Sequence, residues 1–453
     1  MPSWLPVPLR DAAVRTPFLW WAAVGGFLRV LLLPVGISSD TLAVYWRAHL
    51  IAFHGEVYAD YLVNMGSHLV HAVWLRVAQP FLGPADGLWT HPWWWADPWG
   101  LIPQHMTEFL ARPDAWRAIA LLKLPYALAE VVAGVLLLHV AWNRGATTEG
   151  PDRLVRAKRV WVFWMLSPAA IYATLLFARY EAFPVLAIVA ALLLAERDRP
   201  WAAAIVLGIG ITLRTYPIVL VPVFALVLQR GLVRQAAWTA AGLAPFALSM
   251  VANRLVAGAF GEVLSAGTSI YGSNWLDWTF APGPGRGPEG LPLFPAAMLV
   301  LGLYLLGRDQ GWWGARPVPR EHLWRWVVLT HLVMFATTLF SAHYLMWVTP
   351  AIALLLARSD VRAVLPLHLV QVAGVFTAAF LLWGGILFTG TLGGLGPTAQ
   401  RLLPLGPPLR DGQLPADIAW VTATVATLAL LVPFLIETLR RDPGAHGVPR
   451  PGG

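Results

Sequence analysis

Residues 160–178 read VWVFWMLSPAAIYATLLFA, a run with no charged side chain and none of the alternation of a half-buried strand. Inside a bilayer every backbone N–H and C=O must be satisfied within the protein, so a continuous apolar run of this length predicts a helix and not a barrel strand. Residues 420–436, WVTATVATLALLVPFLI, read the same way. Comparable runs recur from Pro17 to Leu439, and 58% of the residues are hydrophobic while 12% are charged. No soluble domain of this length has that balance, so the expected class is all-α and polytopic.

The remaining composition removes whole classes of function. The chain has no cysteine, which excludes disulfides, thiol catalysis and thiolate metal sites. Lys and Arg outnumber Asp and Glu by 32 to 24, but they fall in short clusters between apolar runs, as positive-inside loops do, so nucleic acid is not an expected partner. There is no glycine-rich phosphate loop.

With the N-terminus inside, spans are expected near 17–36, 118–141, 160–178, 182–196, 201–213, 216–228, 236–256, 291–306, 323–340, 344–357, 362–388 and 417–438. That makes about twelve transmembrane helices in one domain, 1–441, with a disordered cytoplasmic tail at 442–453. Arg29 interrupts the first run and no cleavage site follows it, so the run reads as an uncleaved span. The inner loops carry the basic excess: Arg144, Arg153, Arg156, Lys158 and Arg159; Arg230 and Arg234; Arg316, Arg320 and Arg325; Arg440 and Arg441. Some middle runs are short enough to be tilted or re-entrant.

Parity puts two long loops outside, 36–117 and 257–291. In Ser39–His54, Leu42, Tyr45, Trp46, Leu50 and Phe53 share one helical face, the pattern of an interfacial amphipathic helix. The tryptophans of His91–Trp99 suit the headgroup level. Tyr271, Trp275, Asp277 and Trp278 suit either that belt or a sugar platform.

Charges inside apolar spans are costly and therefore informative. Arg29, Lys123, Arg179, Glu181, Arg214 and His343 all fall near outer span ends, just beyond which lies Asp40. Arg forks grip phosphate oxygens, and a carboxylate can accept a proton from a hydroxyl, so the cluster suits a lipid phosphate carrying a group to be transferred. Plainer roles stand beside this. Asp40 can cap the helix after it, Arg29 and Lys123 can snorkel, Arg179 and Glu181 can form a structural pair, and Glu130 can serve as a structural partner. His68 and His71 have metal-capable spacing but no further ligands.

Several short patterns follow one another in order: Arg29, Asp40, Tyr45 and Gly55-Glu-Val-Tyr58; Lys123-Leu-Pro125 with Glu130; Leu166-Ser-Pro168; Ala178-Arg-Tyr-Glu181; Arg214-Thr-Tyr-Pro217; and Phe340-Ser-Ala-His-Tyr-Leu-Met-Trp347. In this the chain resembles the GT-C glycosyltransferases, and among them the bacterial polyprenyl-phosphate-mannose-dependent mannosyltransferases of glycosyltransferase family 87. The resemblance implies an inverting transfer of mannose or a related hexose, from a polyprenyl-phosphate donor to a glycolipid, polysaccharide or protein acceptor, at the outer face of the plasma membrane. It implies Asp40 as general base and lipid-phosphate contacts from Arg179, Arg214 or His343; Arg29, Lys123, Tyr180, Glu181 and Tyr344 are the further candidate substrate contacts. With Asp40 lacking an adjacent acid, no metal and no cofactor are expected. A transporter or flippase of lipid-linked sugar is the alternative, and a non-catalytic scaffold binding such lipids is a third.

Overall fold

The computed structural model describes residues 5–58, 64–82, 102–143, 152–258, 293–312, 316–338, 341–387, 390 and 413–440. All regular structure among them is helical. In chain order the α-helices are α1 Val7–Arg10, α2 Arg15–Leu32, α3 Ser39–His49, α4 Met65–Ala78, α5 Ile102–Leu110, α6 Ala115–Asn143, α7 Arg153–Leu166, α8 Pro168–Ile171 and α9 Ala182–Glu196. They continue with α10 Pro200–Leu213, α11 Val221–Leu228, α12 Leu232–Ala257, α13 Leu293–Asp309, α14 Leu323–Thr337, α15 Leu345–Arg358, α16 Val361–Leu387 and α17 Gln413–Arg440.

Five stretches are long and apolar enough to cross a membrane: Ala115–Asn143, Arg153–Leu176, Leu232–Ala257, Val361–Leu381 and Leu414–Arg440. Four further apolar helices are shorter: Ala182–Glu196, Pro200–Leu213, Tyr216–Leu228 and Ala342–Arg358. The chain is a helical, multi-pass membrane protein. Arg153–Leu176 is the most enclosed of the long five and Leu232–Ala257 the most peripheral.

The stretch that decided the class is not one continuous helix. Pro168 cannot donate to the turn before it and pushes Ser167 out of the helical region. Helix α7 accordingly ends at Leu166, Ser167 is extended at φ −58° and ψ 116°, and its side chain caps a new turn at Ala170 N. A π-helical turn, Tyr172–Leu176, follows and closes when Phe177 N donates to Tyr172 O at 2.8 Å. The chain then reverses through Ala178 at φ 60°, and Arg179 N reaches back to Ala173 O at 2.8 Å. The break delivers Arg179 to the helix end.

Where helices meet most closely, small residues allow it, as expected where lipid supplies no hydrophobic drive between helices. A Cβ on Gly208 of α10 would lie 2.4 Å from Gly242 O of α12, and one on Gly374 of α16 would lie 2.6 Å from Ala419 O of α17.

Polar contacts sort onto two ends. On the side expected to be inner, Arg320 pairs with Asp198 at 3.4 Å, Arg230 Nη2 donates to Val318 O at 2.7 Å, and Arg159 Nη1 donates to Ser359 O at 3.2 Å. These link loops that the charge bias places on one face. Asp40, Arg179, Glu181, Arg214 and His343 converge in a separate cluster.

Helix α3 buries Leu42 and Tyr45 against the bundle, half-buries Trp46, and passes into a π-helical turn at Leu50–His54. The expected amphipathic helix is therefore two segments with one inward face. The tryptophans of His91–Trp99, the second outer cluster of Tyr271, Trp275, Asp277 and Trp278, and the tail lie outside the described residues.

Candidate functional site

Five loops and helix ends, at Asp40, Asn64, Arg179–Glu181, Arg214 and His343–Trp347, build the polar cluster. Asp40 stands in the first turn of α3, whose cap is Ser38: its hydroxyl accepts from Thr41 N at 3.3 Å. Capping is thus not Asp40's task, and its carboxylate forms an ion pair with Arg179. The Asp40 and Arg179 segments are laced together by Thr41 Oγ1 donating to Ala178 O and by Ser38 N donating to Phe177 O at 3.1 Å.

Glu181, fully buried, sits at the centre. Its Oε2 accepts from Trp347 Nε1 at 2.5 Å, while Oε1 faces Arg214 Nε at 3.6 Å, Arg179 Nε at 3.9 Å and His343 Nε2 at 3.9 Å. Arg214, at the end of α10, donates to Tyr180 OH at 2.9 Å and Tyr344 OH at 2.5 Å. Asn64 Nδ2 donates to the same Tyr180 oxygen at 3.0 Å. Aromatic rings wall the cluster. His343 stacks on Phe177 at 4.4 Å, and Trp347 is sandwiched between Tyr216 at 3.9 Å and Tyr344 at 4.2 Å.

Two guanidinium groups thus face two carboxylates. Burial works against the Arg179 charge, yet Asp40 more than offsets it and the pKa is raised. Burial likewise opposes the Arg214 charge, and Glu181 and the Tyr180 and Tyr344 phenols raise its pKa well above the usual value. Both arginines stay charged at any physiological pH. Several buried polar atoms here lack a hydrogen-bond partner among the described residues: Arg179 Nε, Glu181 Oε1, both ring nitrogens of His343, Ser341 Oγ and Asn64 Oδ1. Buried polar atoms of this kind also occur elsewhere among the described residues; here they stand beside two arginines and a buried carboxylate and are free to bond a ligand or water.

Asp40, Arg179, Tyr180, Glu181, Arg214, His343 and Tyr344 therefore come together. Arg29 and Lys123 do not. The Arg29 fork closes on Glu130, with Nε to Oε2 at 2.5 Å and Nη2 to Oε1 at 2.6 Å, and Nη1 reaches Gly25 O and Met165 O. Lys123 Nζ donates to Leu32 O, Val35 O, Gly36 O and Leu175 O at 2.6–3.0 Å. The two expected substrate contacts are thus spent on backbone and on a buried pair. His71 bonds Ser67 O and Tyr126 OH, and no group of metal-ligating residues occurs among the described residues. Asn64 precedes α4 between Val63 and Met65, and nothing in that apolar sequence neighbourhood marks it as part of a polar site. Trp347 lay inside a quoted pattern, but nothing in the pattern marks its indole as a donor to Glu181.

A family profile described as GPI transamidase subunit PIG-U matches residues 104–281, less than half of the chain. No curated protein matches it. The profile match overturns the expected glycosyltransferase family, and with it the mannosyl transfer, the enzyme class, the polyprenyl-phosphate sugar donor and the alternative of lipid-sugar transport. The reason is visible in the residues. The patterns at Lys123–Pro125, Leu166–Pro168, Ala178–Glu181 and Arg214–Pro217, which pointed to the one family, all lie within the stretch that the profile of the other matches. The expected placement in the plasma membrane likewise finds no support in this match.

Proposed function

We propose that this chain is a membrane-embedded subunit of a protein complex of the GPI transamidase type, which joins proteins to a lipid anchor. In this reading the outer polar cluster holds the charged head of the lipid partner. About twelve spans place both ends of the domain on the inner side and the cluster on the outer side. Asp40, Arg179, Tyr180, Glu181, Arg214, His343 and Tyr344 line the head site. Arg29 and Lys123 hold its walls in register.

One observation supports the reading most: arginines and a buried carboxylate converge at one end of a bundle with polar atoms still unpartnered, inside or beside the matched stretch. Arg forks hold phosphate oxygens bidentately, and a half-buried position strengthens each such contact. A subunit that presents a lipid head to other proteins needs such a grip and no nucleophile of its own. With no cysteine, a thiol nucleophile would have to come from a partner.

The test is isolation of the tagged full chain from its native membranes after cross-linking, with the co-purifying proteins quantified. Stable partners in fixed proportion are expected. A chain recovered alone from cross-linked membranes would sink the proposal.

A further inference from the structure

The two carboxylates of the cluster are held very differently. Glu181 has no exposed side-chain surface and is fixed by the Trp347 indole at 2.5 Å. Asp40 has a single polar contact among the described residues, the ion pair with Arg179, and 14% of its side chain is exposed. Arg179 and Arg214 are also largely buried, with 12% and 13% of their side chains exposed. Ser38 has already taken the capping role that would otherwise tie Asp40 to its own helix. The first turn of α3 also favours negative charge where the Asp40 carboxylate lies, whichever group carries that charge. Arg179 Nε makes no hydrogen bond, facing Glu181 Oε1 only at 3.9 Å, and Ala178 fixes the backbone from which Arg179 projects.

From this asymmetry we infer that Asp40 is an exchangeable counter-ion: it occupies Arg179 in the resting site and yields the guanidinium to a phosphate-class anion on a lipid head. Glu181 is the permanent partner that keeps Arg179 and Arg214 in place between occupants. Asp40 therefore sets selectivity. An anion must out-compete a carboxylate already in position, which a phosphate with several oxygens facing two arginines does and a lone carboxylate does not. The inference rests on the head-site reading above and adds which group leaves and which anion enters.

The test uses the purified full chain in detergent, titrated with short-chain phosphatidic acid, with phosphatidylcholine of the same chain length and with inorganic phosphate. Wild type, Asp40→Asn, Arg179→Gln and the double variant are compared. Asp40→Asn keeps the shape of the side chain, and Arg179→Lys serves as the folding control by retaining charge. Asp40→Asn is expected to bind phosphatidic acid at least about tenfold tighter than wild type. Arg179→Gln should lose that binding, and the double variant should match Arg179→Gln. Tight binding of inorganic phosphate as well would assign recognition to the phosphate alone; binding confined to phosphatidic acid would assign it to the lipid head. Equal or weaker binding by Asp40→Asn overturns the counter-ion role, as does the lack of phosphatidic acid binding by every variant. The assay needs no partner protein, so it can succeed while the search for a complex fails, and the reverse.

Discussion

Ala178 carries its methyl group into a left-handed backbone conformation, φ 60°, at a fully buried position one residue before Arg179. Such a conformation costs a residue other than glycine of order 1–3 kcal/mol, and more when the side chain is branched at Cβ. Ala178→Val should therefore lower stability by about 1–3 kcal/mol in thermal unfolding of the detergent-solubilised protein, whereas Ala178→Gly should not. A valine variant that melts with wild type would show that the turn bends without strain. Arg29 and Glu130 give a second residue-scale expectation. Breaking a buried pair leaves a naked charge and costs about 3–5 kcal/mol, while replacing both partners with apolar residues is far milder. Arg29→Met should thus be severely destabilised, and Arg29→Met combined with Glu130→Leu should recover most of the loss. A double variant as unstable as the single would contradict the pairing. That Arg29 interrupts one apolar run and that Glu130 lies nearer the middle of another was legible in the sequence. The direction they face around the helix was not. That is why Arg29 and Lys123 could be grouped with Arg179 and Arg214 on paper and yet stand apart in space.

Among the elements, the segment from Ser167 to Glu181 does most to position the site. It was legible as a span, and its Ser-Pro step as a boundary signal, but the π-turn and the reversal at Ala178 depend on what packs against them. Lys123 is one such partner. Its ammonium satisfies three carbonyls around the end of α2 and one at Leu175, joining the approach to Asp40 with the approach to Arg179. Lys123→Met removes this donor, at a cost of about 1–3 kcal/mol for each carbonyl left buried and unpaired, while Leu32 O keeps its bond from Val35 N at 3.0 Å. The variant should lose thermal stability and also weaken phosphatidic acid binding, although Lys123 touches no headgroup in this account. Loss of stability with binding unchanged would reduce Lys123 to a plain helix cap. The spacing in α3 pointed to one apolar face at the membrane surface; the structure buries Thr41, Val44, Arg47 and Ala48 as well as Leu42 and Tyr45, so the helix is enclosed on most sides, and its break into a π-turn leaves no mark in that spacing.

At the scale of the whole molecule, composition alone fixed the class: apolar runs throughout, basic residues between them, and no cysteine. Five long apolar helices and four shorter ones bear that out. Function was less accessible: the short patterns pointed to a glycosyltransferase, whereas a GPI transamidase subunit profile matches residues 104–281. What distinguishes a lipid-presenting subunit from a transferase is the company it keeps, and no single chain records its partners. The account therefore stands on a claim about the assembled complex: Arg179 and Arg214 present the lipid head and do not hold the complex together. The direct measurement is attachment of a reporter protein to its lipid anchor in membranes carrying wild type or Arg179→Gln with Arg214→Gln, at matched levels of chain and co-purifying partners. Each lost charge-assisted contact is worth about 1.5–3 kcal/mol, so attachment should fall at least about tenfold while the partners stay bound. Attachment at the wild-type rate, with the complex equally assembled, would contradict it.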